Sequence, residues 1–190
     1  MQTNDTIIDQ WTSVAVPPPP EVKEVTLDPE VTAFLILDIQ TQNCSKERPR
    51  CTATVPKIKT FLAEARARSM FVAYSLTRAA NVDDIIADVA PREGEPVVKA
   101  GADKFFRTDL EKILEENNIK TVFIVGTSAH GAVLHTATGA ALRGLQVIVP
   151  IDGMSATDLY AEQYTAWHLM NGPGSRKQTT LTRFDLITVS

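Results

Sequence analysis

Apolar positions along the chain fall into short continuous runs separated by stretches of helical spacing. Residues 122–125 form a β-branched run that reads as a strand buried on both faces. Gly126 stops it, and small and apolar residues at helical period follow over 132–142. Residues 32–37 (TAFLIL) form a second such run, ending in Asp38. The same reading predicts a helix over 55–68, a strand over 70–74, a short helix over 81–89 and a short strand over 96–98 that ends at Lys99. It continues with a helix over 109–116 capped by Thr108, a strand over 145–150 after the stop at Gly144, a helix over 157–170 and a strand over 179–182. Strand and helix alternate throughout, which implies an α/β fold: a parallel, doubly wound sheet with helices on both faces.

Residues 1–25 differ from the rest. Pro17 to Pro20 impose an extended polyproline arm, and Ile7, Ile8 and Trp11 lie ahead of it. We expect this arm to be ordered, packed on the body or on a neighbouring subunit, with the domain itself spanning 26–190. The 190 residues suffice for one sizeable core.

A net charge of −4 argues against a nucleic-acid partner. No apolar run approaches the ~18 residues of a membrane span, and the acidic, polar start MQTNDTIIDQW does not read as a signal peptide. Cys44 and Cys51 alone make no disulfide framework, so a reducing, cytoplasmic setting is the expectation.

Candidate chemistry gathers where open α/β sheets concentrate it, at the carboxyl ends of strands. Asp38, Lys99 and the turn 127–132 meet that criterion. A strand-end Asp and Lys beside a turn rich in N–H groups form an acid/base couple, in which Lys99 holds Asp38 ionised or passes it a proton. Structural ion pairing is the alternative for each charge. Cys44 follows Asp38 in a polar loop that carries Arg48 and Arg50, and nothing in its surroundings marks it as a reactive thiol.

Three stretches in order, LILDIQTQN at 35–43, VVKAGADKFFRTDL at 97–110 and VGTSAHGAVLHTA at 125–137, together with VIVPIDGMSA at 147–156, resemble the isochorismatase-like, or cysteine hydrolase, superfamily. The resemblance covers the chain from about residue 26 onward. It implies a sheet ordered 3-2-1-4-5-6, a homo-oligomer (dimer or tetramer), a small-molecule substrate, and a cis non-proline peptide within 127–129 that turns the Ala129 and Ala132 amides toward one point. The Asp, Lys and Cys of its amidohydrolase branch fall on Asp38, Lys99 and Ala132, so the nucleophilic thiol is absent. The isochorismatase branch also lacks that Cys. It cleaves a vinyl ether through an acid and a shaped pocket, and its Gly-x-x-Ala-His turn matches Gly126, Ala129 and His130.

Gln40 and Phe105 are candidate pocket walls by position, and Ser128, Ala129 and His130 of the turn are candidate substrate-binding residues, although His130 is more often a loop histidine bonded to backbone. Two departures stand out. Ala100, Gly101 and Ala102 replace a Trp-Arg-Tyr that includes a substrate-clamping Arg, and residues 74–78 (YSLTR) lack the histidine of the nicotinamidase metal site. No metal or other cofactor is therefore expected. Three readings remain open: a Cys-independent hydrolase working by Asp/Lys acid–base chemistry, an amidohydrolase trapped by Ala in place of Cys at 132, and a non-catalytic small-molecule-binding relative.

Overall fold

The structure, a computed structural model, describes residues 5–190. The chain runs β1 (Val25–Leu27), β2 (Thr32–Leu37), α1 (Pro49–Ala67), β3 (Phe71–Thr77), β4 (Val97–Ala100), α2 (Leu110–Glu116) and β5 (Thr121–Thr127). It continues through α3 (Leu134–Leu142), β6 (Gln146–Pro150), β7 (Met154–Ser155), α4 (Leu159–Asn171), β8 (Thr179–Thr182) and β9 (Ile187–Val189). The main sheet is parallel with order β4-β3-β2-β5-β6-β8, which is the 3-2-1-4-5-6 order when its six long-range strands are counted along the chain.

Every residue of β2 is buried, because both sheet faces are covered. Successive side chains point to opposite faces. Ala33, Leu35 and Leu37 enter the layer that holds α2, α3 and α4, while Phe34 and Ile36 enter the layer under α1. In that second layer Phe61 of α1 stacks against Phe34 and Phe123, with ring centroids 5.1 and 4.6 Å apart. These edge-on and tilted contacts are the geometry aromatic quadrupoles favour.

Several local expectations are corrected. Helix α1 starts at Pro49, six residues before the predicted 55, since proline suits a first helical turn that has no N–H partner to lose. Residues 81–89 form two 3₁₀ turns, Val82–Asp84 and Ala87–Val89, instead of a helix. The first is fixed by a capping box between Asn81 and Asp84. Strands β1 and β9 were not expected; they pair in parallel as a separate two-stranded sheet that ties the segment after the arm to the chain's end. Cys44 and Cys51 are joined in a disulfide, against the expectation of free thiols.

Residues 1–4 of the N-terminal arm lie outside the described residues. Ile7, Ile8 and Trp11 are well exposed, so the arm does not pack on the body of its own chain at those positions. It becomes fixed at Lys23, whose N–H donates to the Leu181 carbonyl and whose carbonyl accepts from the Thr182 hydroxyl. Tyr160, Tyr164 and Trp167 of α4 are likewise exposed and are no part of the core.

Strands β2 and β5 diverge from the centre of the sheet, their followers winding to opposite edges. The crevice for a ligand opens at such a switch point. At its base Leu37 lies opposite Gly126. Gly126 has φ +140, and a Cβ there would come within 2.1 Å of the Leu37 carbonyl oxygen. Gly126→Ala is expected to cost more than about 2 kcal/mol, because the backbone of β2 must yield. Urea unfolding of the variant measures this; a loss within about 0.5 kcal/mol contradicts the close approach.

Candidate active site

The residue after β2, Asp38, has a positive φ of 55, a region that Asp enters more readily than most residues. Its carboxylate is buried and accepts two strong bonds: the Ser75 hydroxyl donates to Oδ1 at 2.7 Å and the Lys104 ammonium to Oδ2 at 2.7 Å. Lys104 is fully buried and also donates to the Gly101 carbonyl at 2.8 Å. Its own N–H donates to the Thr136 hydroxyl of α3, and the Thr108 hydroxyl donates to its carbonyl. The loop between β4 and α2 is thus folded around this one side chain. Burial pulls the Lys104 ammonium below the ordinary lysine value, while Asp38 and, more weakly, Asp103 work against that shift.

The expected partner was Lys99, and here the structure corrects the sequence reading. Lys99 lies on β4, an edge strand, with its side chain exposed and bonded to Asn81 Oδ1 at 3.1 Å. Lys99 lies on the same face as Val97, which packs under α1, but near the end of the edge strand its own side chain is left exposed. The signal for Lys104 was present in the sequence: two phenylalanines follow it directly, an apolar context for a lysine.

Asp38 opens onto a cavity of about 600 Å³ whose walls include Thr127, Ser128, Gly131, Ala132 and, from two other loops, Arg48 and Arg78. Thr127 and Ser128 are joined by a cis peptide, within the span where one was expected. Residues Ala129–Val133 form a single π-helical turn that leads into α3, and the Gly131 and Val133 amides both donate to the Ser128 carbonyl. Ala132 is buried in the cavity wall.

Other candidates are placed elsewhere. Gln40 is buried outside the cavity wall, its amide bonded to Thr77 Oγ1, Gln42 and the Thr77 N–H, so it braces the loops after β2 and β3. Phe105 lies in the layer under α3, with the Arg143 guanidinium 4.4 Å from its ring centroid. Ala129 is fully buried in the same layer. His130 is exposed and lines a groove between α3 and α4 with His135, Tyr160, Tyr164 and His168. Cys44 is held in its disulfide. Arg48 and Arg78 were not singled out as site residues, for a loop arginine carries no periodic signal.

Among the described residues no group of three or more His, Cys, Asp or Glu side chains is clustered to hold a metal ion. No helix among them is long and apolar enough to cross a membrane.

Residues 32–182 match the family model for the isochorismatase domain. The chain belongs to the isochorismatase family. Over 84 residues it is 37% identical to the secreted isochorismatase effector Isc1 of Verticillium dahliae, a match covering 44% of each chain. Over 72 residues it is 40% identical to the N-carbamoylsarcosine amidase of an Arthrobacter species, covering 37% of this chain and 26% of that one. The matched region spans less than half the length of both curated relatives. Among solved structures, an isochorismatase family protein from Desulfovibrio vulgaris superposes with a TM-score of 0.72 at 22% identity, covering 82% of this chain and 95% of the other. The N-carbamoylsarcosine amidase of Thermoplasma acidophilum does so with a TM-score of 0.70 at 22% identity, covering 81% and 96%. Family membership and the isochorismatase-like fold are both established by these matches.

Removing one partner of a buried ion pair strands the other. Lys104→Met is expected to destabilise the protein by about 3–5 kcal/mol, with much of that recovered when Asp38→Asn is added. Lys99→Ala should stay within about 0.5 kcal/mol. Denaturant titration of the three variants checks the assignment, and the reverse ranking of Lys99 and Lys104 refutes it.

Proposed function

We infer that the protein is an isochorismatase-family hydrolase of a small organic molecule that works without a cysteine nucleophile. Asp38 is the acid/base and Lys104, in place of the Lys99 named by the sequence reading, is its partner. The observation that carries this reading is the buried Asp38–Lys104 pair facing a cavity whose wall offers only the Ala132 methyl at the nucleophile position. An acyl-enzyme route has no attacking group there. Hydrolysis of a vinyl ether needs none. Lys104 supplies a proton to Asp38, and Asp38 protonates the enol carbon, leaving an oxocarbenium ion. Water adds to that ion and its proton returns to the Asp38 carboxylate. The hemiacetal or hemiketal so formed collapses to a carbonyl compound and an alcohol.

The lowered proton affinity of Lys104 suits it to this transfer, since a donor works best when its pKa approaches the working pH. The direction of the pH dependence follows. Turnover requires the proton on the pair, so it is present at lower pH and is lost as pH rises through the Lys104 pKa. The ordinary lysine value is 10.5, and burial sets the loss below it.

A second reading has one observation in its favour, the match to an N-carbamoylsarcosine amidase. On that reading position 132 is the seat of a missing thiol. The non-catalytic reading draws on the same absent thiol. A homo-oligomer belongs with either enzyme reading, and the exposed aromatic residues of α4 support it. The disulfide favours an oxidising compartment over the cytoplasm expected from composition.

A screen of small vinyl ethers and amides tests these readings together. The parent protein is expected to hydrolyse a vinyl ether, with an alkaline limb in kcat/KM below pH 10.5. Asp38→Asn should lower the rate by at least about 10²–10⁴-fold while near-UV circular dichroism stays native. If only Ala132→Cys turns over, and only amides, the amidohydrolase reading stands instead. No turnover by either protein leaves small-molecule binding as the activity.

A further inference from the structure

Beside the main cavity lies a second, smaller chamber of about 100 Å³, below the usual range for a whole small-molecule ligand. The two share Asn43, Arg48 and Thr127 as a common wall. Ser155 of β7 also lines the chamber. It is buried, and its hydroxyl has no hydrogen-bond partner among the described residues. Buried hydroxyls are nearly always paired, so an unpaired one beside a chamber points to a missing acceptor or donor.

The other charges around the chamber are engaged. Arg50 forms a two-pronged ion pair with Glu162, and the Glu47 carboxylate accepts from the Ser45 hydroxyl. Arg48 has no carboxylate partner among the described residues. Its side chain is exposed and its backbone is restrained. Cys44 and Cys51 close a short loop around it, and Cys51 forms part of the chamber wall. An uncommitted guanidinium and an uncommitted hydroxyl on one small chamber are the donor set for a carboxylate, which accepts through both oxygens.

We propose that this chamber is a carboxylate subsite, in which an acidic substrate lays its carboxylate between the Arg48 guanidinium and the Ser155 hydroxyl while its reacting group faces Asp38. The proposal deepens the hydrolase reading and rests on the same cavity being the substrate site. Arg78 lines the main cavity and not the chamber.

The test is binding of a matched pair, crotonate and crotonamide, by isothermal titration at constant ionic strength. Crotonate is expected to bind at least about tenfold more tightly than the amide, the usual scale for a hydrogen bond to a charged group. Arg48→Gln should remove that advantage, Ser155→Ala should reduce crotonate affinity several-fold, and Arg78→Gln should change it less than about twofold. Thermal unfolding of each variant verifies the fold, and Arg48→Lys, which keeps charge but not the fork, should fall between parent and Arg48→Gln. Equal affinity for acid and amide overturns the proposal. So does an unchanged Arg48→Gln, or an Arg78→Gln loss as large as that of Arg48→Gln, which would mean diffuse attraction only. Crotonate has no bond for this chemistry to cleave, so a failed vinyl-ether screen leaves the measurement standing, and lost discrimination with turnover intact overturns the subsite alone.

Discussion

A fully buried lysine against a buried aspartate sets the terms for the rest of the site. An ammonium withdrawn from water is costly unless its hydrogens find acceptors, and Lys104 satisfies this through Asp38 and the Gly101 carbonyl. Bringing it there requires the chain after β4 to double back over the sheet. The loop from 101 to 109 accordingly hangs on hydroxyls, with Thr136 accepting from the Lys104 amide and Thr108 binding its carbonyl. The same Thr108 hydroxyl then accepts from the Leu110 N–H at 3.2 Å and starts α2. The buried ion pair and the order of the loop around it are one structural fact.

The strand framework was legible in the sequence because a strand buried on both faces leaves a continuous apolar run. The runs at 32–37 and 122–125 were recognisable for that reason, and the strand-to-helix turn after the second followed from Gly126. What escaped was set by contacts distant in sequence. β1 and β9 are three residues each, too short for a periodic signal, and each depends on the other. The choice of Lys99 over Lys104 came from taking the nearest cation to a strand end as the inward one. Lys99 shares its sheet face with its partner Leu76, yet Leu76 on β3 is covered while Lys99 at the sheet edge is exposed, a difference that appears only once the strand order is known.

The loop after β2 was harder to read for a related reason. Cys44 and Cys51, seen alone, gave no geometry, yet their bond converts a polar stretch into a closed ring against the first turn of α1. Arg48 rides on that ring, whereas Arg78 follows β3 in an open loop. The two arginines looked alike in the sequence and differ in how far their positions are determined. Gln40 shows the opposite case: a polar residue in the right motif that the fold uses to join two loops.

The pairing of β1 with β9 bears on how the protein is made. Synthesis delivers β1 before, and its partner β9 after, every strand of the main sheet. During translation the core sheet can assemble from β2 through β8 while the first strand waits with Leu27 uncovered. Closing so long a loop late costs little extra, because loop entropy grows only with the logarithm of length. It does mean that β1 pairs only after β9 has emerged, so a product cut short ahead of β9 keeps the strands of the main sheet but carries β1 as an open edge.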